Sequence, residues 1–382
     1  MPTELSSVVV ASMEENSPVA PTNAATSPAS VSRILIVRLS SMGDVIHTMP
    51  AVALLRETFP EANIGWIIEE RWAELLCTRG ADRFGRRPNI AKPLVDAVHV
   101  VDTMAWRSAP FSNATWRGML ASWREVHDAR YDVAIDFQGA AKTALLARCT
   151  GAARYVGFEE PREHAAGVFY TQTAAGRGNH VIEQSVSLAA SFAGVTARLP
   201  EIEFPIDDAV EEKCEQELRD RGVRNFAILN PGAGWGAKQW PPERYGEVAQ
   251  GLAISGVPSI INFGPGEEEL AKKVEAASGG AAQAIPCSVS DLIALTRRAR
   301  LFVGGDTGPM HLAAALHVPV VGIFGPTNPV RNGPFGTRSI VLRNPASETT
   351  HARRRQTDPG LLAITSAEVL RTARELLGIR LA

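Results

Sequence analysis

The chain has 382 residues and little of what would mark it as a redox, metal or membrane-spanning protein. Its four cysteines, Cys77, Cys149, Cys214 and Cys287, are far apart. No CxxC pair or Cys/His cluster points to zinc, so reduced thiols in a cytosolic setting are expected. No apolar run is long enough to span a bilayer. A formal net charge of −2 gives no whole-molecule attraction to nucleic acid or to a membrane. Three nucleotide signatures are missing as well. The turn after the first strand has only Gly43, where a dinucleotide fingerprint needs G-x-G-x-x-G, which counts against a nicotinamide dehydrogenase. The P-loop pattern G-x-x-x-x-G-K-[ST] is absent. No D-x-D occurs anywhere, so a metal bridging a diphosphate is not suggested.

Length favours two domains over one. Residues 1–32 are rich in Ser, Ala, Pro and Thr and show no period. They lack the basic start and apolar core of a signal peptide, and they read as a disordered tail.

From residue 33 to about 200, branched apolar runs alternate with helical patterns. RILIVRL (33–39), NIGWIIEE (63–70), AVHVVD and DVAIDFQG (132–139) read as buried strands. The first is followed by Ser40-Ser41-Met42-Gly43-Asp44 and an amphipathic helix. The alternation argues a doubly wound parallel sheet, whose ligands sit at the carboxyl ends of the strands. Asp44, Glu69, Glu70, Gln138 and Lys142 lie at or just past those ends. Two readings of Asp44 stay open. Ser41-x-x-Asp44 fits a capping box, which makes the carboxylate structural. A helix N-terminus also keeps a carboxylate ionised, as a proton acceptor must be.

The basic run RGADRFGRRPNIAKP (79–93) breaks the rhythm. Arg107, Arg117 and Arg124 follow among Trp106, Trp116 and Trp123. These charges are either simply solvated or part of a basic, aromatic face toward anionic lipid.

LPEIEFPID reads as a linker between this half and a second α/β pattern covering about 201–365. There, NFAILN (225–230) leads into the glycine-rich loop PGAGWGAKQWPPE, with Lys238 as a point charge for phosphate. SIINFGPGEEEL (259–270) is a strand, a turn and an acidic helix start. Its Glu267 is placed to accept hydrogen bonds from a ribose. LFVGGDTGPMHLAAALHVPVVGIFGPT (301–327) is a βαβ unit with Asp306, Thr307 and Gly308 in its turn and His311 one turn on. Free N–H groups and the positive dipole end make that turn a seat for phosphate. Lys238, Glu267 and Thr307–Gly308 thus read as a nucleotide diphosphate site. The fold class expected is α/β of GT-B type: two Rossmann-like, doubly wound parallel-sheet domains facing a central cleft. The closing segment, SAEVLRTARELLGIRL, reads as a helix able to pack back across the first half.

Five stretches together resemble glycosyltransferase family 9: ILIVRLSSMGDVIHTMPA (34–51), YDVAIDFQGAAKTALLAR (131–148), AKQWPPE (237–243), GPGEEELA (264–271) and GGDTGPMHLAAAL (304–316). The resemblance runs over about 33–380. It implies transfer of L-glycero-D-manno-heptose from ADP-heptose to a Kdo sugar on lipid A, with inversion, without metal or other cofactor. By the resemblance, Asp44 is the catalytic base, and Lys238, Glu267, Asp306, Thr307, Gly308 and His311 hold the donor. Arg162, with Lys142 and Arg107, falls on the acceptor side. The resemblance further implies a cytoplasmic enzyme peripheral on the inner face of the inner membrane, touching anionic lipid and no nucleic acid. Another family 9 transferase, a nucleotide-sugar epimerase and a non-catalytic nucleotide-sugar-binding protein are the alternatives.

Overall fold

The structure, a computed structural model, describes residues 31–78, 94–350 and 356–379. The expected tail, apart from Val31 and Ser32, and the basic loop at 79–93 lie outside the described residues. The chain divides into two compact units, with the boundary between Asp207 and Asp208.

The first unit is a six-stranded parallel sheet. Its strands are β1 (Arg33–Val37), β2 (Asn63–Glu69), β3 (Ala97–Val101), β4 (Val133–Asp136), β5 (Arg154–Phe158) and β6 (Gln172–Ala174). The order across the sheet is β3-β2-β1-β4-β5-β6, so the direction of winding reverses between β1 and β4. Ile34 to Val37 are fully buried, as strands covered on both faces must be. The helices are α1 (Met42–Thr58), α2 (Thr103–Ser108), α3 (Asn113–Asp128), α4 (Ala141–Cys149) and α5 (Val181–Ala193). The first helix was expected to be amphipathic and is not. From Met42 to Leu55 every residue is buried except Asp44, because α1 is enclosed between its sheet and α5. Within that stretch the one opening is the Asp44 carboxylate; the helix opens again only in its last turn, at Arg56, Glu57 and Thr58.

The second unit repeats the plan. It contains β7 (Ala227–Asn230), β8 (Ser259–Phe263), β9 (Ala282–Pro286), β10 (Leu301–Gly305), β11 (Val320–Phe324) and β12 (Ser339–Arg343). The order is β12-β11-β10-β7-β8-β9, again all parallel and again reversing between the first and fourth strands. Around the sheet run α6 (Asp208–Asp220), α7 (Pro242–Ile254), α8 (Glu268–Ala277), α9 (Val289–Arg297), α10 (Gly308–Ala315), α11 (Pro329–Asn332), α12 (Pro359–Ala363) and α13 (Ser366–Leu377). One core joins the sheet to α7, α8 and α13 through residues such as Tyr245, Val274 and Val369. The other face carries a second core, with Leu218, Leu295 and Met310. The last helix spends its apolar face here: Val369, Ala373 and Leu376 are buried against α7 and the strands of this unit. No helix among the described residues is long and apolar enough to cross a membrane.

Candidate active site

In open parallel sheets the crevice for a ligand opens where the winding reverses. Each unit has such a point, and several of the residues singled out from the sequence stand at one or the other.

At the first, β1 runs into the turn that starts α1. Asp44 accepts hydrogen bonds from the Ser41 backbone N–H (2.9 Å) and hydroxyl (3.1 Å), so the capping contact exists. Its other oxygen pairs with Arg38 at 2.7 Å. Burial alone would raise its pKa, but the Arg38 guanidinium and the Ser41 donors outweigh this and hold it below the ordinary carboxylate value. The Asp44 side chain is still 39% exposed, so a substrate hydroxyl has an approach. Arg38 also donates to the Phe137 carbonyl, and Gln138 accepts from the Leu39 N–H at 2.9 Å. These bonds tie the β1 turn to the loop after β4.

That loop is built on a buried carboxylate. Asp136 accepts from the Gln138 N–H (2.8 Å), Gly139 N–H (3.2 Å), Thr143 hydroxyl (3.1 Å) and Tyr170 hydroxyl (2.9 Å). Burial pushes its pKa up despite those donors. Gly139 takes φ +64°, and a Cβ there would stand 2.9 Å from the Arg162 nitrogen, so the glycine lets the two loops touch. The Glu163 N–H donates to the Gly139 carbonyl at 2.9 Å. Arg162 and Lys142 thereby flank one loop system, and both are exposed. Arg107 is also exposed, but it folds back on its own helix, donating to the Thr103 carbonyl at 3.1 Å. Glu69 is buried and holds the Thr103 N–H at 3.2 Å and the Thr103 hydroxyl. It fixes the start of α2 rather than facing the crevice.

At the second reversal, between β7 and β10, the chemistry is drier. Lys238 Nζ meets Asp306 Oδ2 at 2.6 Å and the Asp306 carbonyl at 3.2 Å. It also lies 4.4 Å from the ring centroid of Trp235, a cation–π contact. His311 Nε2 takes the other Asp306 oxygen at 3.1 Å. The side chains of Lys238 and Asp306 are only 12% and 8% exposed. Burial would raise the Asp306 pKa, but His311 and Lys238 override it and hold the carboxyl far below its ordinary value. Thr307 does not cap α10 with its hydroxyl, which turns to Asn230 at 3.0 Å. The first-turn N–H groups of α10 are therefore not spent on a side-chain cap. Glu267 sits before α8, beyond β8, which neighbours β7. It accepts from the Gly264 N–H at 3.0 Å. A Cβ on Gly232 would lie 2.3 Å from its carboxylate, so this loop depends on glycine. Lys238, Glu267 and Thr307–Gly308 thus stand after three adjacent strands.

A profile of glycosyltransferase family 9 (heptosyltransferase) matches residues 119–361. The chain belongs to that family. This family 9 enzyme is 30% identical over 318 residues to lipopolysaccharide heptosyltransferase 1 of Pseudomonas aeruginosa, covering 81% of this chain and 83% of the relative. It is 30% identical to the Escherichia coli K12 protein of the same name over 320 residues, or 82% and 94% of the two chains. The solved structure of E. coli heptosyltransferase WaaC with ADP superposes with a TM-score of 0.72 at 27% identity, covering 90% of this chain and 99% of that one. The family 9 chain is accordingly a glycosyltransferase, with the two parallel-sheet α/β domains of the GT-B fold.

Some site residues escaped the sequence reading. Arg38, Asp136 and Asn230 are polar residues at or near the carboxyl ends of buried apolar strands, and that position is a signal in itself. Trp235 and Tyr170 carried no such mark; only folding brings them to Lys238 and Asp136.

Proposed function

We propose that this family 9 enzyme transfers L-glycero-D-manno-heptose from ADP-heptose to a Kdo sugar of lipid A, in lipopolysaccharide inner-core synthesis. The first unit takes the acceptor and the second the donor. The observation that carries the reading is the pair of reversal points: an ionised, half-open carboxylate at one, a buried Lys–Asp–His cluster beside an uncapped helix start at the other.

In the reaction, Asp44 accepts the proton of the Kdo hydroxyl as that oxygen attacks the anomeric carbon from the face opposite ADP. The configuration inverts. The bond to the β-phosphate oxygen breaks, and charge grows on the leaving ADP. Lys238 and the N–H groups at Thr307–Gly308 stabilise that charge, so no metal is required of the mechanism. Asp306 keeps Lys238 in place, and His311 holds Asp306. Glu267 takes the ribose hydroxyls. Arg162, Lys142 and Arg107 meet the anionic acceptor. Such an enzyme works peripherally on the cytoplasmic face of the inner membrane.

The test is turnover. Purified protein is incubated with ADP-heptose and Kdo-lipid A, following ADP release and product mass, with Asp44→Ala alongside. Acceptor-dependent ADP release, a product heavier by one heptose, and loss of both in the variant are expected. ADP release that survives in Asp44→Ala would remove the base, and a product of another mass would replace the sugar or acceptor.

A further inference from the structure

The α2–α3 hairpin is built unlike the rest of its unit. No residue of α2 is buried, and of α3 only Thr115 and Val126 are. Trp116, Met119, Leu120 and Trp123 follow one another at i, i+3, i+4 and i+7, so they form one stripe on α3. That stripe is open to solvent, Trp116 by 60%. Phe111, in the loop between the helices, is 92% exposed. Of the fourteen exposed large apolar side chains among the described residues, six fall between Met104 and Trp123. Concentrations of this kind mark a contact surface.

The hairpin is firmly fixed. Glu69 holds Thr103, Ser112 caps α3 through the Thr115 N–H at 3.0 Å, and the Trp123 indole donates to the Cys149 carbonyl at 2.8 Å. Buried His99 bridges Glu125 of α3 and Tyr131. The apolar face is therefore held outward by the fold.

Charge indicates what covers it. From Thr103 to Arg124 there is no Asp or Glu, while Arg107, Arg117 and Arg124 are present. The flanking acids are engaged elsewhere, Asp102 on the Ala105 N–H at 2.8 Å and Glu125 on His99. Trp106, Phe111, Trp116 and Met119 line a groove of about 600 Å³ that Arg107 and Lys142 share. A second copy meeting this face about a two-fold axis would set arginine against arginine. An anionic bilayer offers both what the stripe and the arginines lack: acyl chains and negative headgroups.

We propose that the α2–α3 hairpin is the surface by which this chain sits on an anionic lipid bilayer, with Phe111 and Trp116 inserted at the headgroup–acyl boundary. The hairpin leaves the carboxyl end of β3, the same sheet edge that carries Asp44 and Lys142. Docking there, on the acceptor reading proposed above, presents a lipid-linked acceptor to that edge.

The full chain is sedimented with vesicles of phosphatidylglycerol and phosphatidylethanolamine, and with phosphatidylcholine alone. Two variants are compared, Phe111→Ser/Trp116→Ser and Arg117→Gln/Arg124→Gln, none of the four positions being among the residues proposed to hold the donor. The wild type is expected to bind the anionic vesicles, less so as salt rises. At about a factor of five per basic residue, the arginine variant should bind about 30-fold more weakly, and the aromatic variant at least tenfold more weakly. ADP affinity by calorimetry should be unchanged in both, showing that they are folded. A wild type that ignores anionic vesicles, or variants that bind as well as it does, would overturn the proposal. So would a wild-type dimer that the aromatic variant abolishes with no vesicle binding in either. Binding is read without donor or acceptor, so its failure and that of the transferase reading are separate results.

Discussion

Asp44 and Lys238 stand at equivalent places in the two units, each just after the first strand of a sheet with the same strand order. The chemistry is inverted between them. In the first unit a guanidinium holds a carboxylate; in the second a carboxylate holds an ammonium. Exposure differs too. Asp44 is partly open, which screens its pair and leaves a route for a hydroxyl. Lys238 and Asp306 are nearly closed off, so each depends on the other to offset its desolvation. Topology sets where a group emerges, and the residues of the turn set its sign and its dryness. A proton acceptor needs access, whereas a group that steadies charge gains from a drier setting.

Breaking either side tests this contrast. The largest effect is expected from Asp44→Ala, which removes the proposed proton acceptor. Turnover should fall by about 10² to 10⁴, with ADP affinity retained, as steady-state rates and calorimetry would reveal. Equal loss of ADP affinity would mean that the two points are not chemically separate.

Asp306→Asn comes next, and its first effect is on stability. It leaves Lys238 buried without its counter-charge, at a cost of about 3–5 kcal/mol. The melting temperature should drop by about 10 °C. Asp44→Asn, at a half-open site, should cost only about 1 kcal/mol, chiefly a weakened cap. Similar melting temperatures for the two variants would erase the difference in dryness. The sign with pH follows from the depressed Asp306 pKa. Its contribution is fully present at neutral pH and is lost only as pH falls through the low folded value.

Lys238→Ala should lower turnover by on the order of a hundredfold, with little loss in Lys238→Arg where a charge is kept near Trp235. An unchanged rate in the alanine variant would leave the leaving-group charge to α10 alone.

The smallest effect sharpens the first site. With its pKa held below the ordinary value, Asp44 adds no acid limb to the rate profile above about pH 4. Arg38→Ala removes the depressing charge while burial still raises the pKa. The acid limb should therefore move to higher pH. Arg38→Lys should restore most of the original profile. A limb that stays in place in Arg38→Ala would mean that Ser41 alone sets the acidity.

Much of this fold is legible in the sequence. Buried strands such as Ile34–Val37 and Val320–Phe324 are continuous apolar runs, because both faces are covered, and the runs end where the structure ends the strands. The short strands β5, β6, β9 and β12 were not picked out, since their composition does not distinguish them from loops until neighbours pair with them. The helix α1 departs from the expected amphipathic pattern because its own residues from Val45 to Leu55 are mostly apolar on every side, as a helix enclosed by its neighbours requires.

The sequence by itself determined the alternation of strand and helix, and the residue types in the turns: Ser41-x-x-Asp44, the glycine loop with Lys238, and Asp306-Thr307-Gly308. Those are local matters, settled within a few residues by propensity, capping and sterics. Only the tertiary structure decided which charges answer each other. Lys238 and Asp306 are 68 residues apart, and Arg38 reaches the loop after β4 at Phe137. Parallel sheets bring such positions together through crossovers, and burial then sets how strongly the partners interact.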